Sequence, residues 1–177
     1  MADPQGDITP EVAKEVLRLN ELYVDGTLRL SLAADSRALS ISSMLAAAST
    51  LIVGYGASTL LALTAFDYQK VALGVGALWC GGMFATALIF SVRSVRPRGF
   101  NIAGNLRSGW SDAELRGSLV DALLSQAAVY EGQAQLNIET LSSNAVLLKK
   151  ALFLTTIAVP SATAIGLLIL LSEKILK

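Results

Sequence analysis

Apolar and polar positions alternate along this chain in a way that isolates three long uncharged runs. The first extends from Ile41 to Phe66, the second from Val71 to Val92, and the third over residues 151–172. About 20 consecutive apolar residues suffice for a helix to cross the hydrocarbon core of a bilayer, so each run predicts one transmembrane span. Only Asp67-Tyr68-Gln69-Lys70 separates the first two, a polar turn so short that residues 41–92 must form an antiparallel hairpin. The fold class this pattern predicts is all-α integral membrane: three transmembrane helices, a hairpin plus one, with cytoplasmic amphipathic helices.

The flanking segments show helical periodicity of a different kind. Residues 1–8 read as a tail. Thr9 supplies a cap for free N–H groups, and Pro10 suits the first helical position, with Glu11 favourable against the helix dipole. Over residues 9–40, Val12, Val16, Leu19 and Tyr23 recur at helical spacing, which predicts an amphipathic helix. Asp25-Gly26 is a point of interruption, since a mid-helix glycine costs about 1 kcal/mol, and the apolar positions resume at Leu28, Leu30 and Leu32. Residues 93–110, rich in Gly and Arg, read as a basic loop. Ser111 and Glu114 then have the spacing of a capping box, opening a long cytoplasmic helix over 111–150. Its apolar stripe runs Leu115, Leu119, Leu123, Ala127, Tyr130, Ala134, Ile138, Leu141, Ala145 and Leu148, opposite a face with Asp121, Gln126, Glu131, Gln135 and Glu139. Gly117 and Gly132 are the places where it would bend or break. Lys149-Lys150 marks the membrane surface. The third span follows with Pro160 near its middle, where the lost backbone hydrogen bond predicts a kink softened by Thr155 and Thr156. Residues 173–177 form a tail that anchors the far interface.

Charge adds an orientation. Of the basic residues, four lie in the N-terminal segment, one in the hairpin turn, seven between Arg93 and Lys150, and two in the C-terminal tail. The excess of Lys and Arg on cytoplasmic segments predicts that the N-terminus and residues 93–150 are cytoplasmic and the C-terminus periplasmic. The two amphipathic helices then share one compartment and can pack together. The first 40 residues are polar, with no basic region running directly into an apolar stretch, so no cleaved signal peptide is expected.

Composition narrows the chemistry. The chain is 53% hydrophobic and 16% charged, with formal net charge zero, whereas soluble domains carry about 25% charged residues. No bulk positive charge is present to attract nucleic acid, so none is expected as a partner. There is no histidine, and Cys80 stands alone. The commonest metal ligand and general base are therefore missing, as is any multi-cysteine site, and no enzyme, metal or cofactor is predicted. Gly74-Val75-Gly76 and Gly81-Gly82 follow no strand and precede no Gly-Lys-Ser/Thr, so they are not phosphate loops. No span carries a charge, which argues against an ion pump.

Small residues and interfacial charges remain as candidates. Gly54 and Ser58 lie one turn apart on the first span, and Gly74 and Gly82 two turns apart on the second. Such spacing lets helices approach closely, either within the hairpin or between subunits. Asp35 and Arg37 stand at the mouth of the first span, and Arg93, Arg96 and Arg98, with Arg107 further on, follow the second. These are read either as interfacial anchors or as ligands for a phosphate or headgroup.

The order of these features matters as a whole. Ala34-Asp35-Ser36-Arg37-Ala38 runs into the first span. A tight hairpin follows, then Arg96-Pro97-Arg98 with Phe100-Asn101, then a long helix ending in Lys149-Lys150 and a third span. Over roughly residues 25–172 this resembles the small transmembrane effector domain of bacterial Pycsar antiphage systems, with Arg37 where that family has Lys. The resemblance implies an oligomerising inner-membrane effector of bacteria that perturbs or permeabilises the membrane, with lipid, further copies of the chain and a cyclic-nucleotide messenger as partners. The alternative is a non-catalytic accessory or scaffold subunit of a larger respiratory or photosynthetic membrane complex.

Overall fold

The computed structural model of this protein describes residues 8–95, 99–104 and 117–176. Among them are three helices: α1, Pro10–Leu61; α2, Tyr68–Ser94; and α3, Leu119–Leu176. All three are long and apolar enough to cross a membrane. The protein is thus an all-α, multi-pass membrane fold.

The helix boundaries differ from the sequence expectation in informative ways. Thr9 begins α1 as expected, its hydroxyl accepting from the Val12 N–H at 3.4 Å and its carbonyl from Ala13 N–H at 3.0 Å. Gly26 does not interrupt that helix, which continues from the amphipathic segment into the first span without a break at residue 40. One glycine is a small penalty against the hydrogen bonds of a long helix. At its far end α1 stops at Leu61, five residues before the uncharged run does. Ala62 N–H still bonds to Ser58 O, and Leu63 N–H closes a tighter turn on Leu60 O.

The polar residues Tyr68, Gln69 and Lys70 are not a turn but the first turn of α2. The Asp67 carboxylate accepts from the N–H groups of Gln69 (2.9 Å) and Lys70 (3.4 Å) and caps the helix. Hydropathy marks where a chain leaves lipid, whereas a cap marks where a helix starts, and here the two points differ.

Of the two glycines at which the sequence predicts the long helix to bend or break, Gly117 lies outside helix and Gly132 within it. Ser118 is not helical either, and its carbonyl accepts the Ala122 N–H at the start of α3. The proposed capping box, Ser111 and Glu114, lies outside the described residues. Beyond Leu119 nothing separates a cytoplasmic helix from a third span: α3 passes through Gly132, Lys149-Lys150 and Pro160 in one piece.

The described residues form two compact units. In the first, α1 through Ala34 packs with the chain leading up to Ser142. Its core is Val24, Tyr130 and Ala134, with Leu17 and Ala103 against them. The Asn20 amide donates to Ala127 O at 3.0 Å, and the Asn137 amide donates to the Thr27 hydroxyl at 3.3 Å. Matched positions rise together along both helices, so in this unit α1 and α3 run parallel. In the second, α1 from Asp35 and the antiparallel α2 pack with α3 from Ser143 around Leu45, Ala87 and Ala151.

Candidate assembly surface and membrane faces

In the first unit α1 carries two longitudinal stripes, one residue apart in register. The buried stripe is Ala13, Val24, Thr27 and Ser31, with the partly buried Leu17 and Asn20 filling its gaps. It consists of small, polar and only two larger apolar residues. The other stripe is Val12, Val16, Leu19, Tyr23 and Leu30, the apolar periodicity legible in the sequence, with Gly26 filling the place between Tyr23 and Leu30. All five side chains are exposed, Leu19 at 53% and Tyr23 at 57%, and a Cβ placed on Gly26 would meet nothing within 4 Å. The face that makes α1 amphipathic is therefore not the face it buries in this unit. Beside it runs a ridge of two ion pairs, Glu15–Arg18 at 2.7 Å and Asp25–Arg29 at 2.9 Å. The Arg18 guanidinium holds the Glu15 carboxyl below the ordinary range, chiefly through its hydrogen bonds.

The reason for the choice of buried face is polar. Asn137, only 1% exposed, holds the backbone of Asn101 at both ends. Its carbonyl oxygen accepts the Asn101 N–H at 3.0 Å, and its amide donates to Asn101 O at 2.9 Å and to the Thr27 hydroxyl. Thr27 in turn donates to Val24 O at 2.7 Å. Three residues on, the Tyr130 hydroxyl accepts the Gly104 N–H at 3.0 Å, where φ is +112°, a conformation glycine adopts without strain. Asn137 and Tyr130 thus pin the segment 99–104 and require Thr27 and Val24 opposite. Sequence reasoning found Tyr130 but missed Asn137, one position away from Ile138, and placed Gln126 on a solvent face although it is buried. The stripe that matters on α3 is Ala122, Gln126, Ala127, Tyr130, Ala134 and Asn137. Its recurring polar members were the available signal.

In the second unit the helices approach through glycines, but only one of the four small residues singled out earlier makes a close approach. A Cβ on Gly56 would lie 2.9 Å from Gly74 O and 3.0 Å from Leu78 N, and one on Gly74 2.6 Å from the Leu60 side chain. On Gly81 it would lie 2.4 Å from Val53 and 3.2 Å from its backbone N. Gly54 and Gly82 meet nothing within 4 Å, and Ser58 is exposed and bonds back to Tyr55 O. So Gly56, Gly74 and Gly81 form the α1–α2 seam, while Gly54, Ser58 and Gly82 lie off it. Hydroxyls complete the contact: Ser49 donates to Gly81 O at 2.9 Å, and Ser42 donates to Ser91, which donates to Ala38 O. On the other side of α2, Gly76 faces Ala162 O, and the Trp79 indole donates to Ser161 at 3.0 Å. A cleft of about 620 Å³ opens in this unit, lined by residues that include Ile52, Tyr55, Gly76, Cys80, Val159 and Gly166.

Of the charged candidates, Arg37 is exposed, Asp35 is half-buried, and among the described residues neither forms an ion pair. Arg93 is exposed on the last turn of α2. Arg96, Arg98 and Arg107 lie outside the described residues. Among those described, no group of three His, Cys, Asp or Glu is placed to hold a metal ion. Set against models of known protein families, curated proteins and solved structures, the chain matches none of them.

Proposed function

We propose that this chain is a non-catalytic membrane protein that works as an oligomer of itself, an effector of the bacterial inner membrane that perturbs or permeabilises the bilayer once assembled. The observation that carries the proposal is the uncovered stripe Val12, Val16, Leu19, Tyr23 and Leu30. It alternates steps of four and three across Gly26, the spacing of a coiled-coil seam. Each copy carries the same seam on a helix that continues without a break into its span, and two such seams are complementary in the parallel sense. The neighbouring ridge is balanced by its own ion pairs, so copies brought side by side do not repel. In this reading the N-terminus and residues 93–150 face the cytoplasm, as the distribution of basic residues predicts. The resemblance to nucleotide-signalled antiphage effectors would make a cyclic nucleotide the trigger.

The test is the mass and composition of the particle extracted from its own membrane in mild detergent. Several copies of this chain alone are expected, reduced to one by Leu19→Glu with Tyr23→Glu. Expression of the unaltered chain should collapse the potential reported by a voltage-sensitive dye, and the double variant should not. A stable particle in which this chain is a minor component beside other proteins would overturn the proposal and make it an accessory subunit.

A further inference from the structure

The polar end of the third span holds a second feature that the assembly reading does not use. In the second unit, Phe90 of α2 and Val146, Phe153 and Leu154 of α3 line a groove of about 430 Å³, and Lys149 and Lys150 complete its lining. Phe90 and Leu154 pack onto the core cluster of Leu45, Ala87 and Ala151, so the floor of the groove is fixed by the helix packing itself. Phe153 is 63% exposed and Val146 52%, which leaves the apolar wall open. Both lysines are exposed, and among the described residues neither is engaged in an ion pair. They stand where the uncharged run of residues 151–172 begins, the depth at which headgroups meet acyl chains.

An apolar groove rimmed by two cations at that depth has the chemistry of one amphipathic ligand. A free phosphate would leave the aromatic wall unused, and a zwitterionic lipid would offer the lysines a phosphate already countered by its own cation. Basic pockets between transmembrane helices hold anionic headgroups by the same logic. We infer that this groove is a binding site for an anionic phospholipid, with the headgroup phosphate on Lys149 and Lys150 and the first part of an acyl chain laid along Phe90, Phe153 and Leu154. Bound there, the lipid joins α2 to α3 at the membrane surface.

Native mass spectrometry of the full chain in detergent tests this, with phosphatidylglycerol or phosphatidylcholine added in matched amounts. One retained phosphatidylglycerol per chain is expected, favoured over phosphatidylcholine by roughly 30-fold on the usual worth of two lysines at an anionic surface. Lys149→Gln with Lys150→Gln should abolish the preference. Val146→Trp, which fills the exposed wall and leaves the charge intact, should abolish retention of the lipid. Circular dichroism melting of each variant establishes that it is folded; Val146→Phe replaces Val146→Trp, and Lys149→Gln alone replaces the double variant, where either fails to fold. Equal retention of the two lipids would overturn the site. So would a preference that survives Val146→Trp, since lysines that merely attract the anionic surface do not need the groove.

Discussion

The same helix, α1, is packed by two different sets of rules along its length. In the first unit its buried stripe meets α3 through Val24, Asn20 and Thr27, and the contact is organised by Asn137 holding the backbone of Asn101. In the second, the stripe continues as Ala38, Ser42, Leu45, Ser49 and Gly56, and the contact is organised by backbone approach at Gly56, Gly74 and Gly81. The difference follows the hydropathy of the two units, the second of which holds the three uncharged runs. Where water competes, a polar clasp specifies one register because leaving its buried partners unpaired is costly. In hydrocarbon, apolar side chains gain little by leaving lipid for one another, so close contact between small residues carries the association. Hydroxyls in the second unit are accordingly satisfied at short range: Thr50, Thr86, Thr155 and Thr163 each bond to the carbonyl four residues back.

Breaking each contact by its own rule sharpens the comparison. The largest effect is expected from Asn137→Ala, which leaves both the N–H and C=O of Asn101 without their partner and removes the bond to Thr27. A loss of about 3 kcal/mol follows, readable as a shift in mixed-micelle unfolding. Faster amide exchange at Asn101 and Gly104 should accompany it. Unchanged exchange at these two amides would mean that the clasp does not hold the segment.

Gly56→Ala should rank second, at about 2 kcal/mol, because its Cβ meets backbone atoms of α2 that cannot rotate away. Gly54→Ala, two residues off the seam with nothing within 4 Å, should instead be neutral or stabilise by up to about 1 kcal/mol through helix propensity. Equal destabilisation by the two substitutions would show that the seam is not where Gly56 places it.

The smallest effect concerns the ridge of ion pairs. Glu15 is exposed, and its carboxyl sits below the ordinary value because Arg18 is hydrogen-bonded to it. A depressed folded-state pKa contributes stability above the unfolded value, which is lost as pH falls through the folded one. In so exposed a pair the amount is slight. The measurable quantity is the titration of Glu15 by carbon NMR, which should move up toward the ordinary carboxylate range in Arg18→Gln.

Composition and run length alone determined that this is an all-helical chain with three helices fit to span a membrane. Uncharged stretches of this length admit almost no other structure, because every backbone group in hydrocarbon must be bonded within its own helix. Thr9 and Pro10 likewise announced the start of α1. The tertiary structure decided which face of each helix is buried. Periodicity in Val12, Val16, Leu19 and Tyr23 reports an apolar side but not whether this chain or another covers it, and here the neighbouring stripe won because Asn137 and Tyr130 need partners opposite. Glycine spacing had the same ambiguity: Gly54 and Gly56 are two residues apart on one span, and only the position of α2 determines which of them meets a backbone. Local sequence records what a helix is able to present. The partners across the contact, drawn from positions far away in the chain, determine what it uses.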